Sequence, residues 1–280
     1  MQFTKGLLIA TMSAAMGIAS SSASAAFNDF DIEEGVITDS IDNEFTADKI
    51  TGNYVEIVTF NGDGTFDVSI KWNAGQFVAD DGTTPLPSPG VDTQLNGSQL
   101  GGATNGYGLY ALFMGSGTFT PTGGGGATFL FDNAGSVALY VDADQDTTFN
   151  QPGNGTTAWT TNNNTDDELI GSGTVLEGEG VLDPSLSTCG EGDGINCGSF
   201  GTTTSFALTA FGMTYFIDPD PFYNVAFESG QLNLFELSGT QEINGSLDVV
   251  FDNQVPEPST LALMGLGKAG IGLMRRRKKA

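Results

Sequence analysis

Polar and apolar residues alternate along much of this chain. In Thr65-Phe66-Asp67-Val68-Ser69-Ile70-Lys71-Trp72, the residues Phe66, Val68, Ile70 and Trp72 share one face. Thr65, Asp67, Ser69 and Lys71 take the other, which is the period of a half-buried strand. Tyr54 to Phe60 lies just upstream, and Asn61-Gly62-Asp63-Gly64 between the two runs supplies glycines for positive φ, so the pair predicts a β-hairpin. Further short β runs are predicted at Tyr107 to Met114, Ala127 to Phe131, Ser136 to Val141, Gly173 to Leu182 and Ser205 to Phe216. Asn224 to Phe227, Gln231 to Leu237 and Ser246 to Phe251 complete the set. With Gly/Asn/Asp/Thr turns between them and no sustained helical period, they predict an all-β fold, a single β-sandwich or jelly-roll-like domain. Asp80 to Asn105, Asp142 to Glu168 and Asp183 to Thr204 are expected as long, polar, exposed loops, the places where a rigid sandwich would carry a binding site.

The two ends break this pattern. Lys5, the apolar run Gly6 to Ala19 and the small residues Ala23-Ser24-Ala25 follow the order of a secretory signal peptide, with Ala23 and Ala25 setting cleavage after Ala25. At the other end Pro256-Glu257-Pro258 precedes the apolar stretch Leu261 to Met274 and the basic stop Arg275-Arg276-Arg277-Lys278-Lys279. Pro258 suits a first helical turn. From there to Met274 a helix would measure about 25 Å, the short limit for a transmembrane helix, with its basic end held on the cytoplasmic side. The chain thus divides into a signal peptide (1–25), an all-β extracellular domain (26–254) and a C-terminal segment (255–280) built on a short hydrophobic helix.

Charge sharpens this division. The chain has 34 acids, 9 bases and no histidine, for a net −25. Between Ala26 and Gln254 stand 33 of the acids and only two bases, Lys49 and Lys71, which leaves about −31 on the middle domain. Such a surface repels phosphate backbones and excludes nucleic acid as a partner. Without histidine there is no Ser-His-Asp or Cys-His machinery and no His-ligated metal. Twenty phenylalanines and a 39% hydrophobic content are enough to bury a core in spite of the charge.

Within the domain, Cys189 and Cys197 bracket a seven-residue loop, and in an exported chain they are expected to form a disulfide. Closing so short a loop contributes about 2–3 kcal/mol on chain-entropy grounds. Asp142, Asp144 and Asp146 have the D-x-D-x-D spacing with which acidic turns gather oxygen ligands around calcium. The stretch is not an EF-hand, because Thr147 and Gly153 stand where that loop needs Gly and a bidentate Glu. A solvated acidic turn after a strand fits the same residues, and both readings stay open, although a −31 domain gains from divalent counterions. Acid pairs occur at Glu33-Glu34, Asp166-Asp167-Glu168, Glu177/Glu179 and Asp218/Asp220. Two carboxylates at the right separation are all that a glycosidase needs. None of these pairs stands in a recognisable catalytic context, and the expectation is that the protein is not an enzyme. Trp159 and Tyr107 suit either stacking on a sugar ring or capping the core.

The C-terminal segment, from Pro256-Glu257-Pro258 through the apolar run to the Arg-rich tail, resembles the PEP-CTERM sorting signal of exopolysaccharide-producing Gram-negative bacteria. Lys268 departs from it, standing mid-segment where an apolar residue is usual. The resemblance implies processing by a membrane-embedded exosortase, transient anchoring in the cytoplasmic membrane, then a place at the cell surface or in the extracellular matrix. Phe27-Asn28-Asp29-Phe30, Phe45 to Tyr54, Gly106 to Ala111, Pro221-Phe222-Tyr223 and Gly245 to Phe251 are similar to flocculation-associated PEP-CTERM proteins. That similarity implies a non-catalytic matrix or adhesion protein that associates with exopolysaccharide and promotes floc or biofilm formation. The alternatives are a secreted polysaccharide-active enzyme using a carboxylate pair and a calcium-dependent carbohydrate-binding lectin.

Overall fold

The computed structural model describes residues 27–97, 106–189 and 196–252. The strands are β1 (Phe30–Glu33), β2 (Glu44–Ala47), β3 (Lys49–Phe60), β4 (Thr65–Ala79), β5 (Thr84–Pro85), β6 (Gly108–Gly123), β7 (Gly126–Asp142) and β8 (Thr148–Asn150). They continue with β9 (Thr160–Asn162), β10 (Glu168–Gly173), β11 (Val175–Leu182), β12 (Gly198–Thr204), β13 (Ala207–Leu208), β14 (Phe216–Asp218), β15 (Asn224–Ser229) and β16 (Gly239–Asp252). A 3-10 turn, Glu34–Val36, and one short helix, α1 (Gly212–Tyr215), complete the described elements.

The β3–β4 hairpin is present and longer than its alternation indicated. Around it, β3, β4, β6, β7, β11, β12, β15 and β16 pair antiparallel in a ring, closed where Leu130 and Ala127 of β7 face Glu179 and Leu182 of β11. The domain is therefore a closed eight-stranded barrel, which corrects the expected β-sandwich or jelly-roll. Alternation reads the same in both, since each has one buried and one exposed face; curvature decides between them. Here the β6–β7 ladder slips register between Gly115 and Gly117. Opposite lies Gly135, at φ 147°, where a Cβ would stand 2.4 Å from the Met114 carbonyl oxygen. Across that bend β7 divides, its first half pairing with β11 and its second with β10.

Inward residues such as Tyr54, Phe66, Val68 and Trp72 fill the barrel, and the Trp72 indole N–H donates to the Leu247 carbonyl at 3.0 Å. Outward positions include Thr59 and Thr240, whose hydroxyls meet across β3 and β16 at 3.0 Å. One end of the barrel is plugged by Phe30, Phe216 and Phe251 in edge-to-face contact, beneath the small sheet β14-β1-β2. Glu34 is wholly buried beside this plug. Its carboxylate accepts from the Asn43 amide at 2.6 Å, the Thr93 hydroxyl at 2.6 Å, the Tyr107 phenol at 2.9 Å and the Gln94 backbone N–H at 2.9 and 3.0 Å. The Gln94 side chain adds a longer bond.

Several predicted elements differ. Ser205 to Phe216 is not one strand but β13, α1 and the start of β14. Gln231 to Leu237 forms no strand and instead sends Leu232 and Phe235 toward the open end of the barrel. Gly198–Thr204, expected within a loop, is the barrel strand β12. The Cys189–Cys197 disulfide is formed, with the Cα atoms 4.5 Å apart. It lies beside the start of β12, where the Asp183 N–H donates to the Cys197 carbonyl.

The described residues hold no counterpart of the expected transmembrane helix, on which the contact with the cytoplasmic membrane and the transient anchoring rested. Among the described residues no helix is long and apolar enough to cross a membrane, α1 having only four residues. The stretch on which that expectation rested, 255–280, lies outside the described residues, as do 1–25 with Ala23 and Ala25.

Candidate metal centre

Pairing of β7 with β10 sets Val141 opposite Glu168, so the residues just beyond these two positions, Asp142 on one strand and Asp166 and Asp167 on the other, return to the same place. Among the described residues this is the group of acids close enough to share an ion, with one carboxylate oxygen from each of the three within 4.8 Å of the others. Of the sequence-predicted set, Asp142 is in the group and Asp144 and Asp146 are not. Asp166 and Asp167, read from the sequence only as an acid pair, take their places. The register of β7 against β10 joins them, and no spacing along the chain contains it.

The loop between these acids is folded by them. Asp142 accepts the backbone N–H groups of Asp146 and Thr147, each at 3.2 Å, and Asp166 accepts that of Asp144 at 2.9 Å. Asp167 accepts the Thr147 hydroxyl at 2.9 and 3.1 Å and the Tyr110 phenol from β6. The expected exposed loop therefore lies against the barrel wall, bearing the hairpin β8–β9. Tyr110 stacks on Tyr140, 4.9 Å between centroids, and meets Phe149 edge-on at 5.0 Å. Lys71 sits over the Phe149 ring at 4.6 Å and near Trp159 at 5.9 Å. Trp159 is buried with its indole N–H on the Ser69 carbonyl, and Tyr107 is buried on Glu34, so both are core residues and neither offers a free face to a sugar.

Burial pushes the Asp142 carboxyl above the usual carboxylate range; the charges of Asp167 and Asp166 push the same way, against the N–H groups of Thr147 and Asp146. Asp167 is raised chiefly by burial, with Asp166 and Asp146 adding to it and the hydroxyls of Tyr110 and Thr147 opposing. Burial, then the Asp167 carboxylate, raises the Tyr110 phenol. Like charges crowded in a half-buried site favour protons or a divalent cation. An all-oxygen set of three carboxylates suits a hard ion such as calcium, which takes 6–8 oxygens and would keep positions free for water or ligand hydroxyls.

The other acid pairs do not converge in this way. Glu33 accepts the Gly35 N–H at 2.7 Å, Glu34 belongs to the buried network, and Glu177 and Glu179 face outward from β11.

No curated protein and no solved structure matches the chain. Residues 254–278 match the family described as the PEP-CTERM protein-sorting motif. The match takes in Pro256-Glu257-Pro258 and the basic residues Arg275 to Lys278, so the chain is a β-barrel protein that carries a PEP-CTERM sorting motif at its C-terminal end.

Proposed function

We propose that this is an exported, calcium-dependent carbohydrate-binding protein of the lectin kind, holding exopolysaccharide through an ion at Asp142, Asp166 and Asp167. The observation that carries the proposal is the convergence of these three carboxylates with no cation among their hydrogen-bond partners. Coordination positions left over on a calcium ion are available to sugar hydroxyls or to the carboxylates of an acidic polymer. Burial of Trp159 and Tyr107 favours this route over ring stacking. The sorting motif, with the signal peptide read from the sequence, supports export and exosortase processing. The similarity to flocculation-associated proteins supports a setting in the matrix that binds cells into flocs.

Calcium added to chelator-treated protein at a hundredfold excess over its Kd is expected to contribute about 2.7 kcal/mol, or about 5–10 °C in Tm. Asp167→Asn removes that gain. The gain also shrinks as pH falls, because protons compete for the raised carboxyls of Asp142 and Asp167. Retention of purified exopolysaccharide then requires calcium. Equal melting in calcium and chelator overturns the proposal, and release of new reducing ends would replace it with a polysaccharide-active enzyme working through a carboxylate pair.

A further inference from the structure

The barrel end opposite the Phe30–Phe216–Phe251 plug is not completely filled. Inward positions of β3, β4, β7 and β12 place Phe60, Phe66, Phe129, Phe131 and Phe200 around a recess. Phe235, from the segment between β15 and β16, lies over it, stacked on Phe60 with centroids 5.7 Å apart and planes 13° from parallel. Enclosed space for water-sized groups is about 30 Å³, enough for an ammonium head and its first carbon, and about 380 Å³ is counted only when open solvent at the mouth is included. Glu56 also lines it, on the inward face of β3. Glu56 is only 7% exposed. Burial alone pushes its carboxyl up to about 7, with no hydrogen bond or positive charge opposing, and the other titratable group nearby on that face is the Tyr54 phenol.

We propose that this recess is a second binding site, for a small organic cation: an alkylammonium group whose charge meets Glu56 and whose carbon substituents meet the phenylalanine rings. A buried carboxylate without a partner is costly, and a ligand cation removes that cost. Aromatic rings attract cations through their quadrupoles. A neutral apolar ligand would fill the space and leave Glu56 unpaired. An anionic one would meet both Glu56 and the field of a domain carrying about −31. A metal ion finds one carboxylate and a ring of hydrocarbon, too few oxygens to hold it. The site is separate from the aspartate cluster and does not depend on calcium binding there.

The test is calorimetric titration of the full chain at pH 8, with chelator present, using butylammonium chloride, n-butanol and sodium butyrate as probes. Butylammonium is expected to bind saturably, n-butanol at least tenfold more weakly and butyrate not at all. Glu56→Gln keeps the side chain's shape while removing a buried charge, so it folds; it weakens butylammonium at least tenfold and leaves n-butanol unchanged. Near pH 7 butylammonium uptake releases protons from Glu56, seen as a heat that varies with the buffer. No saturable binding of butylammonium, equal affinity for butanol, or unchanged affinity in Glu56→Gln overturns the proposal. Loss of binding in Asp167→Asn instead also overturns it, by moving the cation to the loop.

Discussion

Glu34 and Glu56 are both buried acids of one small barrel, and the structure treats them in opposite ways. Glu34 sits in a 3-10 turn where the chain is free to bend around it, and an asparagine, a threonine, a tyrosine and a backbone N–H point at its oxygens. Glu56 stands in mid-strand, where the neighbouring backbone N–H groups are committed to the ladders with β4 and β16 and the inward space is lined by phenylalanine rings and aliphatic side chains. A carboxylate can be buried where irregular backbone brings donors to it. On the inner wall of a barrel it has to be met by something that enters. The first acid organises a closed end and the second marks an open one.

The largest way to break this contrast is Glu34→Ala, which strands the Thr93 hydroxyl and the Gln94 N–H and leaves Tyr107 only Tyr215 and Asn43 only the Asp92 carbonyl. A loss of about 3–5 kcal/mol in urea unfolding is expected. A loss below about 1 kcal/mol would show that the network merely decorates the plug. Glu56→Gln should act in the other direction. The folded carboxyl titrates at about 7 against an ordinary 4.5, so its ionisation opposes folding in full above about pH 7 and not at all below 4.5. Without ligand, the variant is therefore expected to gain about 2–3 kcal/mol at pH 8 and nothing at pH 4, measured as the difference between two denaturant midpoints. Smallest is Lys71→Met, which keeps the stem but removes the cation lying between Phe149 and Trp159. A loss of about 1 kcal/mol is expected. Were the variant more stable, these rings would not distinguish the sign of a charge, and the choice of a cation for Glu56 would lose its ground.

Strand positions were legible in the sequence where alternation was strict. Phe66, Val68, Ile70 and Trp72 face inward as predicted, and the Tyr54 to Phe60 run pairs with them as the expected hairpin partner, with Tyr54, Val58 and Phe60 inward. Closure was not legible, because it depends on β7 pairing with β11 around a bend at Gly135, and one period of two serves a barrel and a sandwich equally. β12 was missed because its inward residues include Thr202 and Thr204, polar side chains that hide the buried face. The signal for Glu56 was present: it is an acid at an inward position of its own strand, between Tyr54 and Val58. The aspartate cluster was half legible. Asp142 stood out by spacing, while Asp166 and Asp167 join it only through the β7–β10 register.

Closure of the ring also governs how copies of the chain meet one another. An open sheet ends in a row of unpaired N–H and C=O groups on which another molecule can nucleate an ordered aggregate, and a closed barrel has none. The short strands at the margins, β13 with two residues, β14 with three and β2 with four, offer little template. Molecules at high concentration thus present turns and negative charge to each other, and remain individually folded where an open β-sheet would begin to form fibres.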